Sequence, residues 1–235
     1  MAHILTHTSW KGGTGKTTLN TLASITLAKK GNKVLMIDLD PNCCLSQIFK
    51  KELSDRTSKD LITGIAVEPY NVAENLDLLP SSLDMSLLAN IMDTTLKNSL
   101  KRFGYLEKYD WIIIDPPGSW NSQTRNAIFA TDKLIITGTV SSLDYQATLK
   151  YFEQLENCFL DVDVLVVCNK YNTAKNEAGV FEQYKTQFED YFYPEALPDI
   201  KSLKNLTADP NYPIHPTVAK KLNEYVSKIT EITNA

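Results

Sequence analysis

Lys11-Gly12-Gly13-Thr14-Gly15-Lys16-Thr17-Thr18 is the stretch that decides the architecture. Gly12, Gly13 and Gly15 accept backbone conformations closed to other residues, so several main-chain N–H groups can converge on one point with no side chain between. Lys16 then adds a cation, Thr17 a hydroxyl, and a helix starting here turns its positive end to the same place. Such a loop fits a polyphosphate with its metal: Lys16 reaches the β- and γ-phosphates and the Thr17 oxygen faces Mg²⁺. In the usual spacing of this loop a glycine stands where this chain has Trp10,.

Outward from the loop the pattern is strand, loop, helix. A first, weakly apolar strand is expected around Ile4 to Thr8, with His3 and His7 structural or solvated rather than catalytic. After the loop, Leu19, Leu22, Ala23 and Leu27 share one helical face, and Gly31 offers a left-handed stop,. Further on come Val34-Leu35-Met36-Ile37, Trp111-Ile112-Ile113-Ile114, Leu134-Ile135-Ile136 and Val164-Leu165-Val166-Val167. These runs are apolar on successive residues, which predicts strands covered on both faces, as in a mostly parallel sheet between helices. The class is α/β. Leu143, Ala147, Tyr151 and Leu155, after the caps Ser141 and Ser142, predict one covering helix, and Val218, Leu222, Val226 and Ile229 another,.

Composition is that of an ordinary globular protein: 235 residues, 43% hydrophobic and 22% charged, with no linker-like tract, which predicts one domain over residues 1–235,. No signal-peptide pattern and no run of eighteen apolar residues occurs, so a cytoplasmic location is expected. Cys43, Cys44, Cys158 and Cys168 have no metal-ligand spacing and read as reduced thiols,. With 24 Lys+Arg against 28 Asp+Glu the net charge is −4, which excludes a wholly basic surface and confines any nucleic-acid contact to a local patch,.

Three acids follow apolar runs, where the carboxyl ends of strands in a doubly wound sheet face the ligand crevice. Asp38 and Asp40 lie in Ile37-Asp38-Leu39-Asp40-Pro41-Asn42, and Asp115 in Ile114-Asp115-Pro116-Pro117-Gly118. Each alone could cap a helix or form a turn; together, downstream of the glycine–lysine loop, they point to metal and water handling.

The string Lys-Gly-Gly-x-Gly-Lys-Thr-Thr, with its second lysine Lys11, resembles the deviant Walker A signature of the ParA/MinD family, and the likeness extends from Ile4 to the last helix. The first acidic string is similar to that family's switch I segment, with Asn42 in place of the commoner glutamine. The second resembles its Walker B and switch II segment, with the Pro-Pro pair one residue early. The resemblance implies a three-layer P-loop NTPase fold, ATP and Mg²⁺ as cofactors, and an ATPase that is slow without a partner. It assigns nucleotide contacts to residues 11–18 throughout, Asp40 to orienting the attacking water, and Asp38, Asp115 and Thr17 to the metal. Lys11 would cross the interface of an ATP-bound homodimer and add charge in trans. Asn169, ending the Val164 to Cys168 strand, falls where relatives often place an asparagine against adenine; a turn-forming role is the equal alternative. A loop through Asp209 to Pro213, Pro213 included, would close the other side of the base.

Relatives divide by what their ATP-bound dimer adheres to. The ending Ser227 to Ala235 has few apolar and no aromatic residues and makes a poor lipid anchor, so no stable membrane association is expected,. Lys201 and Lys204 resemble the spacing of a DNA-binding region in partition ATPases, and Lys220 and Lys221 follow nearby; a merely solvated face is the alternative for both pairs. Three arginines in total make sequence-specific base reading a poor fit,. The chain starts about ten residues before the loop, like the short partition ATPases without an operator-binding helix-turn-helix. The leading expectation is therefore a partition-type ATPase on nonspecific DNA, nucleoid-associated and stimulated by a separate centromere-binding adaptor. The alternatives are a MinD-like or carboxysome-type positioning ATPase, a relative of the nitrogenase iron protein, for which Cys158 and Cys168 are poorly placed, and a nucleotide-gated scaffold with negligible turnover.

Overall fold

A computed structural model describes residues 1–49, 56–158, 162–171, 178–199 and 216–231. Among these, seven strands form one sheet: β1 (His3–Thr8), β2 (Val34–Asp38), β3 (Tyr70–Ala73), β4 (Leu76–Leu79), β5 (Trp111–Asp115), β6 (Lys133–Thr139) and β7 (Asp163–Asn169), in the spatial order β3-β4-β2-β5-β1-β6-β7. All pairings are parallel except β3 with β4. That hairpin turns through Asn75, one of the few non-glycine residues with positive φ, at 58°,.

The helices are α1 (Lys16–Lys29), α2 (Cys44–Phe49), α3 (Ser58–Ile62), α4 (Thr95–Arg102), α5 (Tyr105–Lys108), α6 (Ser122–Ala130), α7 (Ser142–Glu156), α8 (Ala178–Gln187) and α9 (Pro216–Ile229). They lie in two layers, and successive strand residues show why. Val34 and Met36 of β2 pack in a core with α1 and α9, while Leu35 and Ile37 pack with α3, α4 and α5 on the opposite face. A third core joins β6 and β7 to α6, α7 and α8. This is the three-layer P-loop arrangement, with the apolar runs buried on both sides.

The α1 helix buries Leu19, Leu22, Ala23 and Leu27, as their spacing predicts. It stops where Gly31 takes φ 89° and donates to Ala28 O while Asn32 N donates to Leu27 O, the paired bonds of a Schellman stop,. The first strand, weak in hydropathy, is central and wholly interior from Ile4 to Thr8, and of the two readings of His7 the structural one holds, since the ring is fully buried. Its polar side chains find tertiary partners: Thr6 bonds Thr131, Thr8 bonds Tyr151, and His7 bonds Asn20 and Tyr225. On α7 the inward stripe is Asp144, Thr148, Tyr151 and Leu155, and Leu143 stays 77% exposed. The helix is turned so that Asp144 meets Thr139 and Lys11.

Beyond β7 the chain runs along that strand's free side. Tyr193 N donates to Val166 O and Leu197 N to Cys168 O, at 2.9 and 2.8 Å.

Candidate nucleotide site

The carboxyl ends of β1, β2, β5 and β7 surround a cleft of about 920 Å³ lined by Gly12, Gly13, Gly15, Lys16, Thr17, Thr18, Asp40, Asn169 and Lys170 among others. Gly13 and Gly15 hold φ at 84° and 103°, the left-handed region that favours glycine,. Gly15 immediately precedes α1, whose first turn has no acidic residue and no side-chain cap. The free amides of that turn are thus left to an anion in the cleft.

Ser9, which the motif does not specify, ties the loop together. Its hydroxyl donates to Lys11 O (2.7 Å) and accepts from Thr14 Oγ1 (3.0 Å) and Lys16 Nζ (3.2 Å). Lys16 is 7% exposed and, among the described residues, makes no ion pair. Burial lowers its pKa against the opposing pull of Asp115 and Asp40. A buried ammonium backed only by a hydroxyl, beside uncapped helix amides, fits the phosphates that the resemblance implies.

Asp38 and Asp115 stand in register on β2 and β5, both fully buried. Asp115 Oδ2 accepts from Thr17 Oγ1 and Oδ1 from Asn20 Nδ2, each at 2.7 Å. Asp38 Oδ1 accepts from Asp40 N (3.0 Å), and Oδ2 from Ser46 N (2.8 Å) and Ser46 Oγ (2.6 Å). Desolvation raises both pKa values, and for Asp38 the neighbouring Asp115 adds to it. Among the described residues no three His, Cys, Asp or Glu side chains cluster as a metal cage. One hydroxyl and one carboxylate in contact suit Mg²⁺, which keeps waters and phosphate oxygens in its shell. Asp40 lies on the rim, its Oδ1 accepting from Asn42 N and Nδ2 at 2.9 Å.

Gly118 lets the second acidic segment close on the loop: a methyl there would sit 3.0 Å from Lys16 Nζ and 3.2 Å from Gly12 N. Asn169 is drawn to the loop as well. Its Nδ2 donates to Thr14 O (2.8 Å) and its Oδ1 accepts from Lys170 N (2.9 Å). Lys170, with φ 60°, donates from Nζ to Gly13 O. Lys11 is not among the cleft-lining residues; its ammonium pairs with Asp144 Oδ1 at 2.8 Å.

Lys220 and Lys221 project from the exposed side of α9, where Lys220 approaches Glu224 at 3.9 Å and Lys221 lines a groove with Glu195 and Asp199. Their surroundings are of mixed charge. Lys201, Lys204 and Pro213 lie outside the described residues. Sequence reasoning did not single out Ser9, Asn20, Ser46, Asp144, Lys170 or Tyr225. Asn20 shares its buried helix face with Lys16 and Ser24, so no local signal set it apart.

The profile of the AAA-domain family matches residues 2–159. The sporulation initiation inhibitor protein Soj of Bacillus subtilis is 28% identical over 84% of this chain and 85% of its own. The cell division protein PomZ of Myxococcus xanthus is 28% identical over 80% of this chain, and the match spans 64% of PomZ, less than two thirds of its length. Two solved structures share the fold: a plasmid partition protein of Borrelia burgdorferi bound to AMPPNP, with a TM-score of 0.85 at 24% identity over 97% of this chain and 98% of that one, and a Cyanothece McdA variant in complex with ATP, with 0.83 at 24% over 100% and 98%. With the lysine-flanked glycine loop set at the mouth of a central parallel strand, the chain belongs to the AAA-domain family and within it to the ParA/MinD group of deviant Walker A ATPases.

Proposed function

We propose that this protein is a positioning ATPase of the partition type: it binds ATP with Mg²⁺, dimerises in that state, adheres to DNA without sequence preference, and is released when a cargo-bound adaptor stimulates hydrolysis. The observation that carries the reading is the buried Lys16 ammonium, without an ion pair among the described residues, at the uncapped start of α1 and next in sequence to Thr17, which contacts Asp115.

Lys16 and the first amides of α1 would hold the β- and γ-phosphates, and Gly12 and Gly13 leave them room. Thr17 and Asp115 would hold the magnesium ion, which neutralises charge on the phosphates when bound. Asp38 braces the segment that carries Asp40, and Asp40 on the rim orients the attacking water. Charge develops on the departing phosphoryl oxygens, so a further cation in the transition state matters; an arginine finger in trans is worth about 10³ to 10⁵ in rate. Lys11, half exposed and bound to Asp144 in the single chain, would supply it once a second subunit arrives. Hydrolysis by the lone chain is accordingly slow.

The described part of the chain contains no helix long and apolar enough to cross a membrane. The test is to size Asp40→Ala with ADP and with ATP and Mg²⁺, then to cosediment the ATP species with random-sequence DNA and with anionic liposomes. A dimer only with ATP, on DNA and not on liposomes, is expected. No DNA binding at low salt removes the DNA half of the proposal, and liposome binding turns it to a MinD-like protein.

A further inference from the structure

Three polar side chains cross the core between the sheet, α1 and α9 with no exposed surface: His7, Asn20 and Tyr225. They form a continuous line. Tyr225 OH lies 2.8 Å from His7 Nε2, His7 Nδ1 lies 2.6 Å from Asn20 Oδ1, and Asn20 Nδ2 lies 2.7 Å from Asp115 Oδ1. Thr17 closes the far end on Asp115 Oδ2.

The direction of every proton in this line is determined. Asn20 Oδ1 also accepts from His7 N, and its Nδ2 also donates to Ile114 O, both at 3.2 Å, so the amide cannot flip without setting like groups together twice,. His7 must then donate from Nδ1 and accept at Nε2, which obliges Tyr225 to donate. Burial keeps the imidazole neutral, in agreement with its single ring proton,. An apolar core would be easier to pack here than four tertiary hydrogen bonds linking positions up to 218 residues apart,.

We propose that Asn20, His7 and Tyr225 are positioning residues that couple the Asp115 side of the nucleotide site to the C-terminal helix α9. The inference rests on the nucleotide reading above. Were Asp115 and Thr17 to shift toward the cleft on holding magnesium nucleotide, the acceptor of Asn20 would move with them. The amide cannot answer by flipping, so it follows, or leaves a buried donor without a partner. His7 is held by the same amide through its ring and its backbone, and Tyr225 by His7. The end away from the cleft is the helix that bears Lys220, Lys221 and Lys228 on its outer face and whose Ser227 accepts an exposed 3.1 Å bond from Lys30, the residue that follows α1. Coupling of this kind is reciprocal: a ligand that shifts α9 changes the affinity at the nucleotide site by the same factor.

Amide hydrogen exchange of residues 222–229, in the full chain with and without AMP-PNP and Mg²⁺, tests it. In the parent the nucleotide should change α9 exchange by about tenfold, within the usual range of coupling between sites. Tyr225→Phe, which removes one oxygen, should bind AMP-PNP within about threefold of the parent yet lose most of that change. His7→Gln breaks the line elsewhere and should do the same, and the double variant no more than either alone. A merely structural role would raise exchange equally with and without nucleotide. An unchanged nucleotide response in Tyr225→Phe, or none in the parent that has bound AMP-PNP, overturns the coupling. Should Tyr225→Phe fail to fold, His7→Gln alone decides. Failure of the parent to bind AMP-PNP at all refutes the nucleotide reading itself.

Discussion

Asp38 and Asp115 are neighbours in register at the ends of adjoining strands, equally buried and both pushed toward protonation, yet their surroundings differ in kind. Asp38 spends its oxygens on the segment that follows it, the amides of Asp40 and Ser46 and the Ser46 hydroxyl. Asp115 spends its oxygens on α1, on Thr17 and Asn20. One carboxylate is a peg that fixes the path of a loop; the other is a joint between the phosphate loop and the rest of the protein. Identical chemistry at identical depth is given its task by what donates to it.

Substitutions should separate the two. The largest effect is expected for Asp115→Asn: phosphate release should fall by about 10² to 10³, the scale of losing one well-placed electrostatic contact, while the melting temperature stays within a few degrees. The Thr17 hydroxyl can rotate to accept from the new amide, so the fold keeps its bonds. A large fall in melting temperature would show that both acids are pegs.

Asp38→Ala should act the other way, chiefly on stability. It orphans the Asp40 and Ser46 amides, a cost of about 3 kcal/mol that outweighs relief of the repulsion with Asp115. Thermal melting should drop by roughly 6 to 12 °C for a chain of this size. Unchanged melting with abolished Mg²⁺ dependence would reverse the assignment.

The line that runs inward from Asp115 adds a pH signature. His7 has a folded pKa of about 4 against an ordinary 6.5. Between those values the unfolded chain binds the extra proton and the folded one does not. The stability contributed by neutral His7 is therefore complete above 6.5 and is lost as pH falls toward 4, by an amount of order 3 kcal/mol. Urea melts of the parent and His7→Gln across pH 4 to 7 should diverge in that window, the parent having the steeper decline; parallel curves would contradict the burial of a neutral ring. The smallest effect belongs to Lys11→Ala. Its partner Asp144 is buried but Lys11 is 53% exposed, so loss of the pair should cost under about 1 kcal/mol, roughly 2 to 4 °C, in the nucleotide-free protein,.

The phosphate loop was legible because glycine and lysine at fixed spacing carry their own geometry, and the sheet because four runs are apolar on both faces. The parts that escaped depend on distant partners. Central β1 looked weak, since His7 and Thr8 are polar, and only Asn20, Tyr225 and Tyr151 make their burial possible. The β3–β4 hairpin escaped because β3 alternates half-buried and exposed residues at an edge. Leu143 was misjudged since hydropathy alone does not register that Asp144 has an ammonium to meet. Asp38 and Asp115 could be found as acids after strands; nothing local tells that one answers to Ser46 and the other to Asn20.

The backbone bonds from Tyr193 and Leu197 to β7 also bear on how the protein behaves at high concentration. A bare parallel edge strand invites another chain to extend the sheet, and aggregation begins at such borders. Here the chain lays its own following segment over that border like a sleeve. The open groups of Val166 and Cys168 are spoken for before a neighbour can reach them, so crowded molecules find no seam along this border of the sheet.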